Sequence, residues 1–300
     1  MRTGRRQPTI EWQVCGVCNY NCSYCIQSRS SRTGQPTAET VKGLLRFFAS
    51  LPGHWEIKMS GGEPFASKLF MTDIVPGLIE QTTHSISVLT NLSAPMSVLE
   101  RFAAATEGRL GIVSASLHLE SVSAIDFVGK ALALRSLIGS EAQLVVNSVL
   151  VPSRLDEAEQ ARDIVESAGL RFFPQVMKVK GPAGIHPYNE ADRPRVDAMT
   201  GTDDPAGPLR ANTAPSYFGR SCWAGVEYFT VTQTGDAWSC RSAKRAGEGF
   251  LGNVLDGSIR MRKGPVPCAY HICPCTVPAN RGMIAEEKEK ETVHGHARGR

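Results

Sequence analysis

Cys18, Cys22 and Cys25 stand in the run Cys18-Asn-Tyr-Asn-Cys22-Ser-Tyr-Cys25, a C-x3-C-x2-C spacing. Thiolates spaced this way in one loop can each hold a different iron of a [4Fe–4S] cube. Three protein ligands leave one iron open, and an open coordination position marks a metal site that reacts rather than one that braces a fold. A structural zinc loop is the bland alternative. Five more of the nine cysteines fall near the other end, at Cys222, Cys240, Cys268, Cys273 and Cys275, and none lies between Cys25 and Cys222. Cys15 fits neither set and reads as a small buried residue at the end of a strand.

These groups need a scaffold. The chain has 300 residues, 42% of them hydrophobic, enough for one large domain or a domain with an appendage. A net charge of +4 gives no reason to expect nucleic acid or an anionic membrane as partner. No apolar run is long enough to span a bilayer, and no apolar segment follows the basic Met1–Arg6, so a cytoplasmic protein is expected. Clustered cysteines in a reducing compartment point to metal rather than to disulfides.

Short apolar runs at Ile10–Val14, Trp55–Met59, Ser85–Thr90, Ile112–Leu117, Leu144–Val151 and Leu170–Met177 read as strands. Helical patterns alternate with them. Val41, Leu44, Leu45 and Phe48 recur at helix spacing, as do Phe127, Ala131 and Leu134 behind a Ser123 cap. Ser153 with Asp156 suggests another cap, and Gly169 a stop. Strands alternating with helices predict an α/β fold with a parallel sheet wholly or partly closed into a barrel. Its site lies at the C-terminal strand ends, where the first cysteine run falls. Residues 181–217 read as loop, Val226–Gln233 and Ala237–Cys240 as a hairpin, and 286–300 as a charged tail.

The cysteine run, with aromatic Tyr24 before its last member, resembles the signature of radical S-adenosylmethionine (radical SAM) enzymes. Met59-Ser-Gly-Gly-Glu-Pro64 is similar to that family's Gly-Gly-Glu motif, with Gly61 and Gly62 allowing close backbone approach and Glu63 receiving the SAM amino group. The resemblance implies a partial (β/α)6 barrel over 1–180. It also implies that SAM chelates the open iron and is cleaved by one electron, giving a 5′-deoxyadenosyl radical that takes a hydrogen atom from substrate. By position it makes Asn91, Ser116, His118, Asn147 and Gln175 candidate SAM contacts. For each, a plain backbone-bonded residue is the alternative.

Cys222, Gly235 and Cys240 resemble the start of the "twitch" and SPASM extensions, which carry auxiliary [4Fe–4S] clusters. This implies a second cluster on four of Cys222, Cys240, Cys268, Cys273 and Cys275, within a small extension over 221–281. Residues 181–220 then connect it to the barrel and 282–300 form the tail. Zinc, with His271 among its ligands, is the rival. The cysteine left over, Cys240 or else Cys275, is a candidate hydrogen donor for epimerisation of a carbinol carbon.

The short stretch before Cys18 leads us to expect no leader-binding domain. Size then suggests likeness to members that modify aminocyclitols, aminoglycosides and other sugars. Tyr188, Glu190, Asp192, Asp203 and Asp204 could receive the ammonium groups of such a cationic sugar. A flavodoxin or ferredoxin is the expected electron donor. A radical SAM dehydrogenase, a peptide- or tRNA-modifying enzyme and a metal-stapled binding scaffold are the other readings.

Overall fold

The computed structural model describes residues 6–27, 32–179, 184–201, 216–273 and 276–285. Strands β1 (Thr9–Cys15), β2 (Glu56–Gly61), β3 (Ser85–Thr90), β4 (Leu110–Leu117), β5 (Gln143–Leu150) and β6 (Arg171–Val176) pair in parallel in chain order. Helices α1 (Ala38–Ser50), α2 (Val75–Gln81), α3 (Met96–Ala105), α4 (Ala124–Leu137) and α5 (Leu155–Ser167) connect them. The parallel α/β sheet expected of a partial barrel is present. Among the described residues no helix is long and apolar enough to cross a membrane.

Each strand has two faces of different character. Ile10, Trp12 and Val14 of β1, Ile57 and Met59 of β2, and Val113, Ala115 and Leu117 of β4 are buried with Val41, Leu44, Leu45 and Phe48 of α1 in one core. The alternate positions, Glu11, Gln13, Lys58, Ser60, Ser114, Ser116, Asn147 and Gln175, point the other way and line a polar lumen.

Local signals explain most element ends. Ser123 caps α4 by accepting the N–H of Asp126 at 3.1 Å, and Gly169 stops α5 with φ +72. Ser153 does not cap α5. Pro152–Arg154 form a separate 3-10 turn, and the N-cap residue of α5 is Arg154, with no capping side chain. Within the segment expected to be loop, Arg193–Thr200 forms α6, with Pro194 in its first turn and Gly201 left-handed at its end.

After two-residue β7 (Ser221–Cys222), the hairpin forms as β8 (Tyr228–Val231) and β9 (Asp236–Trp238), followed by antiparallel β10 (Phe250–Asn253). The hairpin does not stand apart. β8 pairs in parallel with β1, so among the described residues one nine-stranded sheet runs β10-β9-β8-β1-β2-β3-β4-β5-β6. Short helix α7 (Arg241–Ala246) follows β9, and β11 (Val266–Pro267) pairs with β7.

Candidate active site

The loop carrying Cys18, Cys22 and Cys25 leaves the C-terminal end of β1 and crosses directly over the turn that ends β2. The N–H of Gly62 donates to Cys15 O at 2.9 Å, and that of Glu63 to Val17 O at 2.7 Å. A Cβ on Gly61, whose φ is +145, would lie 2.2 Å from Cys15 O, and one on Gly62 would lie 2.0 Å from Val17 O. The close approach for which both glycines are needed is therefore to the cysteine loop itself.

Glu63 is buried, and its carboxylate is held by three donors. Thr90 Oγ1 donates at 2.7 Å, the N–H of Asn91 at 2.6 Å and that of Phe65 at 3.2 Å. Burial pushes the Glu63 carboxyl above the usual range, and these donors offset it only in part. Asn91 Nδ2 in turn donates to Asn19 Oδ1 at 3.0 Å, fastening the cysteine loop to the end of β3. A carboxylate accepts about four hydrogen bonds, so a position remains for a ligand ammonium.

The far side of the loop is fastened to the end of β4. Tyr24 Oη lies 2.7 Å and Cys22 Sγ 3.4 Å from His118 Nδ1, and the Tyr24 and His118 rings stack. The Ser23 N–H and hydroxyl donate to Glu120 at 2.8 and 2.5 Å. Burial lowers the His118 pKa to about 4, Glu120 offsetting it in part, so the imidazole is neutral near pH 7. His118 thus braces the cysteine loop, a role the residue pattern did not show.

Burial pushes the Cys18 and Cys22 thiols up. A bound iron supplies the positive charge that deprotonates such thiols.

Ser116 and Asn147 meet on the lumen wall, with Ser116 Oγ donating to Asn147 Oδ1 at 3.0 Å and Asn147 Nδ2 to Ser114 Oγ at 3.0 Å. Gln175 lies one strand further, opposite Val149. On the opposite wall the β1–β2 register sets Glu11 beside Lys58 and Gln13 beside Ser60. Arg241 of α7 donates to Glu11 at 3.1 Å and to Ser60 Oγ at 2.6 Å, and Tyr228 Oη donates to Glu11. Arg281 grips Glu56 at 2.6 and 2.7 Å. None of these charges was foreseen. The available signal was the period-two polar pattern of β1 and β2, since parallel strands buried on both faces read as continuous apolar runs.

Cys222, Cys240, Cys268 and Cys273 pack in one cluster with Tyr217, Val277, Met283 and Ile284. Cys222 and Cys268 share a hydrogen bond that pushes the Cys222 thiol up and favours the Cys268 thiolate. Cys240 Sγ accepts the N–H of Ala243 at 3.3 Å at the start of α7. His271 is exposed, stacked on Phe218, with Nδ1 3.0 Å from Ser216 Oγ. Cys275, Asp203 and Asp204 lie outside the described residues. Glu190 faces solvent, and the Tyr188 hydroxyl donates to Leu150 O at 2.6 Å as a structural pin.

Residues 12–166, just over half of the chain, match the Radical SAM superfamily. The chain belongs to the radical SAM superfamily. Its members are enzymes, and membership implies SAM and a [4Fe–4S] cluster. A curated relative, the GTP 3′,8-cyclase of Stenotrophomonas maltophilia (strain K279a), is 29% identical over 96 residues, 29% of this chain and 28% of that protein. The match thus spans less than a third of the relative's length. Among solved structures, anSMEcpe with bound AdoMet superposes with a TM-score of 0.60 at 14% identity, over 84% of this radical SAM chain and 78% of that one. SuiB of Streptococcus suis bound to its precursor peptide SuiA gives 0.59 at 17%, over 85% and 65%. At these identities the likeness is one of fold.

Proposed function

We propose that Cys18, Cys22 and Cys25 hold the cluster at which SAM is cleaved, and that hydrogen is then taken from a carbinol C–H of a small sugar-like substrate in the lumen. What supports this is the position of the cysteine loop, tied to the ends of β2, β3 and β4 directly over the polar lumen. When bound there, the reduced cluster and SAM supply the 5′-deoxyadenosyl radical. Glu63 offers its remaining acceptor position to the SAM amino group. Ser116, Asn147 and Gln175 present hydroxyl and amide groups to SAM or substrate, and the apolar helix layer keeps water from the back of the sheet.

Residues 221–281 are read as a twitch-like segment for a second [4Fe–4S] cluster, on the support of the cysteine cluster around Cys222. The favoured outcome is epimerisation. A thiol gives its hydrogen atom to the opposite face of the substrate carbon, and the resulting thiyl returns to a thiol with one electron and one proton. We infer Cys275 rather than Cys240 as the donor, on the support that Cys240 packs against the cluster holding Cys222 and Cys273. Dehydrogenation, in which the carbinol radical would pass one electron to the second cluster and one proton to water, is the second reading. It is supported by that same packing, which is what a ligand role for Cys240 would require.

Anaerobic incubation with SAM, dithionite and candidate sugars and aminoglycosides in deuterated water tests the proposal. A product of unchanged formula carrying one deuterium supports epimerisation. One lighter by two hydrogens and free of deuterium supports dehydrogenation. Absence of 5′-deoxyadenosine overturns both.

A further inference from the structure

Four cations meet two carboxylates on the lumen wall of β1 and β2, with a third carboxylate, Asp236, near Lys244. Glu56 is taken by Arg281, and Glu11 by Arg241 and the Tyr228 hydroxyl. Lys58 and Lys244 remain. Neither has a carboxylate within ion-pair distance among the described residues. Lys244 uses one donor on Gln13 Oε1 at 3.2 Å. The nearby Asp236 carboxylate accepts from Asn253 Nδ2 at 2.9 Å and Thr234 Oγ1 at 3.1 Å and keeps its charge, so one cation remains in excess.

The positions are fixed by the backbone. Lys58 faces Glu11 across the strand pair. Arg241 and Lys244, three apart, lie on one face of α7, which turns both onto the same wall. Lys58, Arg241 and Lys244 are all half-buried, which leaves them reachable from the lumen but poorly hydrated. Burial pulls the Lys58 ammonium below its usual pKa, with Glu11 and Glu56 partly holding it up, and burial does the same to Lys244, with Arg241 adding to it and Asp236 opposing. A surplus of half-buried ammonium groups is costly unless something of opposite charge joins them.

We propose that Lys58, Arg241 and Lys244 form a binding site for an anionic group, a phosphate or a carboxylate, carried by the substrate. The Glu11 and Ser60 contacts hold the Arg241 guanidinium in place, so the site exists before the ligand arrives. Lys58 lies three residues before Gly61, deeper in the barrel than the Gly-Gly-Glu turn. The anion is therefore held low in the lumen, and the hydroxylated part of the substrate extends toward the cysteine loop. This selects against the cationic sugars suggested by the acidic stretch around Glu190. The proposal rests on the lumen being the substrate chamber of the radical SAM reaction.

The test is calorimetric titration of the reconstituted holoenzyme with glucose 6-phosphate, glucuronate and glucosamine as probes. Either or both anions should bind, the tighter one identifying the group as phosphate or carboxylate, and glucosamine should not. Lys58→Met and Lys244→Gln should each weaken anion binding about tenfold or more. Lys244→Gln, on a half-exposed helix, keeps the test valid if Lys58→Met does not fold. Absence of anion binding to the wild type, equal binding of glucosamine, or variants that bind like the wild type would overturn the site. Formation of 5′-deoxyadenosine by the wild type without substrate is measured in the same preparations. If it proceeds while the anions fail to bind, only the substrate class falls. If it does not, the proposed function falls as well.

Discussion

Glu63 accepts the backbone N–H of Asn91 at 2.6 Å, so the turn after β2 and the end of β3 are held as one piece. Glu63→Gln replaces an acceptor with a donor facing that N–H and removes the charge offered to SAM. Dialysis should show weaker SAM binding with iron content unchanged. Thermal unfolding should fall by ~2–6 °C, for a loss of about 1–2 kcal/mol. Unchanged SAM affinity would remove the ligand role, and an unchanged midpoint would remove the structural tie.

Gly62 has no room for a methyl group, because Val17 O would stand 2.0 Å from it. Gly62→Ala should displace the cysteine loop and lower reconstituted iron from about eight to about four per chain. Gly129 in α4 is the control, since nothing lies within 4 Å of its Cβ position. Gly129→Ala should keep the iron and add roughly 0.5–1 kcal/mol of stability. Equal iron in both variants would show that the close approach does not govern cluster assembly.

The cysteine cluster separates Cys240 from Cys275 by experiment. Cys240→Ala should lose about four irons, because Cys240 packs against the cluster that holds Cys222 and Cys273 and is proposed as a ligand there. Cys275→Ala should keep both clusters and SAM cleavage but stop epimerised product. Iron retained in Cys240→Ala would return the donor role to Cys240. Iron lost in both would leave the spare thiol among Cys222, Cys268 and Cys273.

Glu56 carries an acid-sensitive part of the stability. Burial raises its pKa, but Arg281 and its other partners more than offset this and hold it below the ordinary 4.5. A lowered folded-state pKa gives stability that is fully present above the unfolded value and lost as pH falls through the folded one. Urea midpoints of wild type and Glu56→Gln should therefore differ most at neutral pH. The difference should shrink as pH drops below about 4.5. A constant difference across that window would mean that packing, not charge, accounts for it.

β1 to β6 are legible in the sequence because each buries a helix-facing apolar row. Observed limits such as Thr9–Cys15 for the expected Ile10–Val14 differ by only a residue or two. The cysteine loop and Gly-Gly-Glu turn are legible because their residue types are rare in combination. α6 was hidden by the Pro- and Asp-rich composition around it, although Pro194 and Gly201 are ordinary start and stop residues. The lumen charges were hidden for a different reason. Lys58 and Arg241 acquire meaning only through strand register and through a helix that arrives from far along the chain. The brace from His118 to Cys22 and Tyr24 likewise exists only once β4 is set beside β1's loop.

The pairing of β8 with β1 places β1 in the interior of the finished sheet, although it leaves the ribosome long before that partner. Glu11 and its partner Tyr228 are separated by 217 residues. Until that distance has been synthesised, one side of β1 is an open strand edge, able to recruit another chain. Closing so long a loop is slow, since its entropic cost comes before any contact repays it. The nascent chain therefore has a prolonged interval of vulnerability to aggregation, which ends only when the C-terminal third docks.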